Sequence, residues 1–306
     1  MRVVGIENMI CDYYFWNNQV FVNGGGTVSN ILVNLDHQKI PCKLIGYCGA
    51  DEQGTWIRNS LKQTTIDIQD ITITNHPTKN FYIKDGKTTS YCPICQTKKE
   101  RYPNFSLEKI TSSITPTDYL LLKDYSITNV KLIIQLSNPI LLDISTIKHF
   151  IYMEKEKIEN YIFYPYKIMN ISEDTFEFLL KKLNQTKKEL LHKMNSELII
   201  ITKGKKGTEF FYHDHHYDFS IENPFPEIET NGCGDTFFSN IICHILLNPK
   251  KIWTETDFQK MFFESQKKVE IVLKNIGARN HIIPNVLIKK TNKCICMTFQ
   301  IEEKID

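Results

Sequence analysis

The strongest constraint on the fold lies late in the chain. There Glu229-Thr230-Asn231-Gly232-Cys233-Gly234-Asp235-Thr236-Phe237-Phe238 runs unbroken into an apolar stretch that ends at Leu247. Phe237 to Leu247 is predicted as a buried helix, so Gly232 to Gly234 form a tight turn at its N-terminus and Asp235 falls in its first turn. The two glycines allow backbone angles closed to other residues and a close approach to a ligand. The first N–H groups of a helix lack partners within it and sit at the positive end of its dipole, which makes this turn an anion site. Asp235 then has two readings. It complements the dipole, or it is a general base beside an anion hole, as phosphoryl transfer to a hydroxyl requires.

Earlier stretches supply partners for such a turn. Arg2 to Ile6 reads as a short apolar strand, followed by Gly5-Ile6-Glu7-Asn8-Met9-Ile10-Cys11-Asp12. A carboxylate such as Asp12 can accept bonds from two neighbouring hydroxyls of a polyol, or it is a loop residue after a strand. Tyr13 to Val22 is aromatic-rich and strand-like. Asn23-Gly24-Gly25-Gly26-Thr27-Val28-Ser29-Asn30 leads into an apolar helix with Asn30 one turn in, and its glycines permit backbone approach to a small polar ligand. Asp51 is read as the cap of a helix from Gln53 to Gln63. Ile66-Asp67-Ile68, Ile71-Thr72-Ile73 and Phe81-Tyr82-Ile83 read as strands, with Lys84-Asp85-Gly86-Lys87 as a hairpin turn. Lys98-Lys99-Glu100-Arg101 reads as a solvated loop.

From Asp118 onward strands and helices alternate, the pattern of a mostly parallel sheet. Tyr119 to Leu122, Ile140 to Asp143 and Leu198 to Ile201 are predicted buried strands. Asn170-Ile171-Ser172-Glu173 ends another, and Ser172 there also suits a helix cap. Thr202-Lys203-Gly204-Lys205-Lys206-Gly207 is a turn in which Lys203 or Lys205 meets phosphate as a point charge or faces solvent. His213-Asp214-His215-His216 reads as a polar hairpin tip in preference to a metal site. A helix from Thr256 to Leu273 precedes Asn275-Ile276-Gly277-Ala278-Arg279.

Composition narrows the classes. The 306 residues, 42% hydrophobic and 24% charged, suit a soluble globular protein with one large α/β domain plus an insertion, or two domains. A net charge of +2 argues against a nucleic-acid or acidic-membrane partner. No apolar run approaches a membrane span, and Met1-Arg2-Val3-Val4-Gly5 opens as a strand rather than a signal peptide. Nine cysteines, an odd number, read as reduced thiols in a cytoplasm. Cys92-Pro93-Ile94-Cys95 lacks a second pair of the same spacing, and Cys294-Ile295-Cys296 alternates like a strand, so loop cysteines are preferred to a zinc site.

Taken in order, these motifs resemble those of the ribokinase-like, or PfkB, carbohydrate kinases. Gly232-Cys233-Gly234-Asp235 resembles the family's Asp-Thr-x-Gly-Ala-Gly-Asp signature, with Glu229 in place of its first Asp and Cys233 in place of its Ala. Gly25-Gly26-x-x-x-Asn30 resembles its substrate motif, Asp12 its hydroxyl-binding Asp, Asn170-x-x-Glu173 its magnesium-organising motif and Thr202-x-Gly204-x-x-Gly207 its nucleotide turn. Asp143-Ile144-Ser145 departs from the common Asp-x-Asn-x-Arg and is more similar to fructoselysine kinases. The resemblance implies a three-layer α/β domain with a mostly parallel central sheet over residues 1–12, 24–65 and 106–306, and a small β-sheet lid over 13–23 and 66–105. The apolar face of such a lid is covered by substrate closure or by a second subunit, as in a homodimer.

The resemblance implies ATP-dependent phosphorylation of a hydroxyl on a small sugar-like substrate. Asp235 would be the base, and the backbone N–H groups of Gly232, Cys233 and Gly234 the anion hole. Asp12, Gly25, Gly26 and Asn30 would bind substrate. Asn170, Glu173, Thr202, Lys203, Gly204, Gly207 and Asn275 would serve the nucleotide, with Glu173 holding Mg2+ through water. A nucleoside kinase and a catalytically silent binding protein remain alternatives. The resemblance implies a potassium site using the Asp that Glu229 replaces; Glu229, one methylene longer, either still serves such a cation or places its charge away from the loop, leaving Asn231 to brace the turn, and the second, with little potassium activation, is expected.

Overall fold

A computed structural model describes residues 1–98, 105–123, 135–222, 224–249, 251–289 and 294–296. The chain divides into two compact units, each assembled from separate segments: Met1–Val4, Asn104–Pro224 and Asn248–Phe263 in the first, Gly5–Pro103, Phe225–Leu247 and Glu264–Asp306 in the second. The fold class is mixed α/β, with a large, mostly parallel sheet and a smaller separate one.

In the first unit, strands lie in the order His215–Ser220, Gly207–Tyr212, Leu198–Thr202, Ile168–Ser172, Ile140–Ile144 and Tyr119–Lys123, followed by the start of Val3–Ile6. From Tyr119–Lys123 to Leu198–Thr202 the pairing is parallel, and the last two strands run antiparallel. The parallel strands are apolar runs because both of their faces are buried, as Leu198 to Ile201 and Ile140 to Leu142 are here. The edge strand His215–Ser220 is partly exposed along its length. His213, with φ 50°, turns the hairpin, so the predicted polar tip is observed. Phe258 anchors this end, with its ring 5.1 Å from that of Phe210 and 5.2 Å from that of Tyr217.

In the second unit, the described strands of the small sheet follow the order Val286–Leu287, Gln19–Gly25, Ile10–Trp16, Lys79–Lys84 and Lys87–Thr89. Tyr13 to Val22 is therefore a hairpin, turning at Asn17 (φ 47°) and Asn18 (φ 60°), two residues of the type that tolerates left-handed backbone. The predicted turn at Lys84 to Lys87 is found, with Asp85 at φ 50° and Gly86 at φ 69°. Two strand memberships differ from expectation. Ile71–Thr74 pairs in parallel with Cys42–Gly49 and takes no part in the small sheet. Val286–Leu287, expected in the α/β part, pairs with Gln19–Gly25. Alternation marks a strand but does not say which sheet receives it. Ile66 to Ile68 supplies an isolated bridge, Lys43 to Asp67, instead of a strand. Asp51 caps the helix Glu52–Leu61 as expected, accepting from the Gly54 N–H at 2.9 Å.

Candidate active site

The second unit brings two helix N-termini to one place. Thr27–His37 begins after Gly26, and Cys233–Leu247 begins after Gly232. Gly232 has φ 86°, and a Cβ there would collide with Ala278, so only glycine fits. The Thr236 N–H bonds the Gly232 carbonyl at 2.9 Å, closing the first turn. Gly234 is exposed, with no described atom within 4 Å of a Cβ built on it. The Cys233 N–H bonds the Thr230 carbonyl at 3.2 Å. The expectation that this N–H faces a phosphoryl group beside those of Gly232 and Gly234 is therefore corrected: it is tied into its own turn. Burial first, then Glu229 and Asp235, push the Cys233 thiol up to about 12, so its sulfur stays protonated.

Asn30 joins the two motifs. It lies one turn into its helix, its N–H bonded to the Gly26 carbonyl at 2.8 Å, and its Nδ2 donates to Asp235 Oδ2 at 2.7 Å. Its Oδ1 accepts from Arg279 Nε at 2.7 Å, and Arg279 Nη2 donates to the Gly25 carbonyl at 2.7 Å. Arg279 is fully buried; desolvation lowers its pKa, opposed first by the neighbouring Asp12 and Glu7, and a guanidinium stays charged in such a setting. Asp12 lies over Gly25, where a side chain would strike its carboxylate. Burial raises its pKa to about 7, opposed by Arg279 and by the Tyr14 hydroxyl, which donates to Oδ2 at 3.4 Å. Among the described residues, Asp12 Oδ1 and Arg279 Nη1 are buried without a hydrogen-bond partner.

Two features were missed from sequence. The helix start after Gly26 is capped by Glu7, whose Oε2 accepts the Ser29 N–H at 2.9 Å, so a carboxylate of the chain itself meets that dipole. Arg279, noted only as the end of the stretch that follows the Thr256 to Leu273 helix, is the cation at the centre of the cluster. No local signal marks either residue. Glu229 also differs from expectation: its Oε1 accepts the Asn231 N–H at 2.7 Å, turning the acid onto its own loop instead of away from it. Asn231 does brace the turn, its Nδ2 donating to Tyr14 Oη at 3.0 Å.

The other expected residues lie in the first unit, except Asn275. Asn170 and Asp143 are paired across adjacent strands, Asn170 Nδ2 donating to Asp143 Oδ1 at 2.6 Å. Among the described residues, Asp143 Oδ2 and Asn170 Oδ1 lack partners. Glu173 opens the helix Glu173–Leu183 and pairs with Lys206 at 2.9 Å. Ser172 stands at the cap position, but its hydroxyl donates to Thr175 at 2.8 Å instead of capping. Thr202 ends its strand, and Gly204 and Gly207 flank the turn into the hairpin. Lys203 pairs with Asp218 at 2.6 Å and lies 3.6 Å from Glu209, so its ammonium is held by carboxylates and does not simply face solvent. Asn275, in the second unit, closes the helix Glu255–Leu273, its Nδ2 donating to the Ile271 carbonyl at 2.7 Å.

Comparison with known proteins adds to this geometry. Residues 17–252 match the model of the pfkB family carbohydrate kinases. An uncharacterized sugar kinase of Buchnera aphidicola subsp. Schizaphis graminum (strain Sg) is 25% identical, over 90% of this chain and 91% of its own. The aminoimidazole riboside kinase of Salmonella enterica, solved with aminoimidazole riboside and an ATP analogue, superposes with a TM-score of 0.67 at 14% identity, covering 91% of this chain and 95% of its own. The fructokinase of Vibrio cholerae O395, solved with fructose, ADP and calcium, gives 0.69 at 16% identity, covering 91% and 94%. At such identities the structural likeness speaks for the fold. Among the described residues, no helix is long and apolar enough to cross a membrane.

Proposed function

The chain belongs to the pfkB family of carbohydrate kinases, phosphotransferases with an alcohol acceptor, and from that premise we propose that it transfers the γ-phosphoryl group of ATP to a hydroxyl of a small sugar or sugar derivative with Asp235 as general base. The observation that carries this reading is the 2.7 Å bond from Asn30 to Asp235, which joins the glycine turn to the Gly25-Gly26-x-x-x-Asn30 motif within one unit. Asp235 takes the hydroxyl proton, and the open first turn at Gly234 offers its N–H to charge on the transferred group. Asp12 and Arg279 supply complementary unpartnered atoms, an acceptor and a donor. A hydroxyl can donate to one and accept from the other, which suits a polyol.

Asn170, Thr202, Gly204 and Gly207 serve the nucleotide in this reading. A magnesium ion brought with the nucleotide would supply neutralisation of charge on the phosphates. The residues present fit that ion: Asp143 Oδ2 and Asn170 Oδ1 are hard oxygen donors without partners. Glu173, expected to reach the ion through water, would serve it once its ion pair with the exposed Lys206 opens, and such an exposed pair is weak.

The test is a phosphotransfer assay with ATP against ketoses, aldoses, glycated amines and nucleosides, run on the wild type and Asp235→Asn. The variant should keep nucleotide binding and lose about two to four orders of magnitude in turnover. Near-normal turnover in Asp235→Asn removes the base assignment. Turnover of nucleosides alone overturns the sugar assignment, and wild-type protein that binds nucleotide but turns over no acceptor is the silent binding protein.

A further inference from the structure

Four cysteines from two distant segments meet in the second unit. The Sγ atoms of Cys92, Cys95, Cys294 and Cys296 all lie within 4.8 Å of one another. The separations are 3.4 Å for Cys92–Cys294, 3.1 Å for Cys95–Cys296 and 3.2 Å for Cys294–Cys296. A disulfide requires about 2.05 Å. Four sulfurs tetrahedrally placed around one ion, with metal–sulfur bonds of ~2.3 Å, stand about 3.8 Å apart. Neither histidine nor carboxylate joins the group among the described residues, and an all-sulfur set selects a soft or borderline ion over magnesium or calcium.

The backbone around the first pair is shaped for this. The Cys92 N–H bonds the Thr97 carbonyl at 2.8 Å, and the Gln96 N–H returns to the Cys92 carbonyl at 2.9 Å. Gln96 adopts φ 59°, which turns the chain back so that both sulfurs face the same side. The Thr97 Oγ1 lies 3.0 Å from the Cys95 sulfur, within hydrogen-bonding reach. A hydroxyl beside a ligand sulfur is an outer contact of the kind that holds a metal ligand in position.

We propose that Cys92, Cys95, Cys294 and Cys296 bind one structural zinc ion that staples the small sheet. Cys92 follows Lys87–Thr89, one edge of that sheet, and Cys294 follows Val286–Leu287, the opposite edge. A small sheet with a two-residue edge strand has little stability of its own, and closing a loop of this length with a metal constrains the unfolded chain. Spacing alone hides the site, because the second pair is Cys-x-Cys and lies far along the chain. Binding releases any thiol protons to solvent and changes no oxidation state.

The experiment measures metal in the full-length chain, purified without a metal-affinity tag and dialysed, by inductively coupled plasma mass spectrometry. One zinc per chain is expected, with loss of it in Cys92→Ser/Cys95→Ser and in Cys294→Ser/Cys296→Ser. Stripping zinc from the wild type should lower its thermal midpoint by about 5–15 °C, reversed by added zinc. Should a variant fail to fold, reconstituting the stripped wild type with Co2+ keeps the test open, since four thiolates give the intense visible bands of tetrahedral cobalt. Metal-free protein with these four thiols alkylatable in the native state overturns the proposal. So does a mass lower by two hydrogens per cysteine pair, or a full complement of iron instead of zinc.

Discussion

Gly232 and Gly234 stand two residues apart and answer to different physics. Gly232 holds a left-handed backbone against Ala278, so Gly232→Ala should cost about 1–3 kcal/mol and lower the thermal midpoint by several degrees. Gly234 faces open space in a helical first turn, so Gly234→Ala should leave stability unchanged or slightly raised. Its new methyl would project where the transferred group must approach, so turnover should fall by about tenfold or more. Denaturation curves and turnover measured on both variants decide the matter: an active Gly234→Ala removes the close approach, and a fully stable Gly232→Ala removes the steric argument. Asp12 gives a pH signature. Its pKa is raised to about 7, chiefly by burial. The native state therefore binds a proton that the unfolded state releases near 4, and the stability contributed by this proton is complete below that and lost as pH rises to 7. A shift of about three units is worth on the order of 4 kcal/mol. Urea unfolding from pH 4 to 8 should show the wild type losing stability relative to Asp12→Asn over that window, and parallel curves would exclude the raised pKa. Asp235, Asn30 and Asp12 were legible because each belongs to a local spacing around glycines. Glu7 and Arg279 were not, since a buried ion's partner is chosen by segments that meet only in the fold.

Hairpins were the most readable elements where their turn residues advertise the turn. Asp85-Gly86 was read from sequence and is present; Asn17-Asn18 carries the same chemistry and was passed over inside an aromatic run. The physics of that turn can be tested directly. Asn18 sits at φ 60°, which asparagine tolerates and a β-branched residue does not. Asn18→Val should destabilise by about 1–2 kcal/mol, while Asn18→Gly should be close to neutral. Equal midpoints for the two variants in chemical denaturation would show that the turn is not the determinant. Val286–Leu287 was unreadable for a different reason: two residues are too few to show a period, and its place depends on Gln19–Gly25 offering an edge. Ile71–Thr74 was recognised as a strand but placed in the wrong sheet, because its partner Cys42–Gly49 is fixed by the path of the chain and not by its own side chains.

At the scale of the whole molecule, the alternation of strands and helices and the ordered motifs carried the fold, even though superposable structures share only 14% or 16% identity with this chain. The division into two units cuts across the motif order: Asp12, Asn30 and Asp235 fall in one unit, Asn170, Thr202 and Gly207 in the other. If the proposed roles are right, each ligand should leave its mark on a different unit. Hydrogen exchange followed by mass spectrometry separates them, because bound ligand suppresses local opening where it makes contact. A non-hydrolysable ATP analogue alone should slow exchange across residues 202–207 and leave residues 10–30 unchanged, and a saturating acceptor alone should do the reverse. Residues 10–30 protected by nucleotide alone, with 202–207 unaffected, would show that the nucleotide and substrate roles have been assigned to the wrong units.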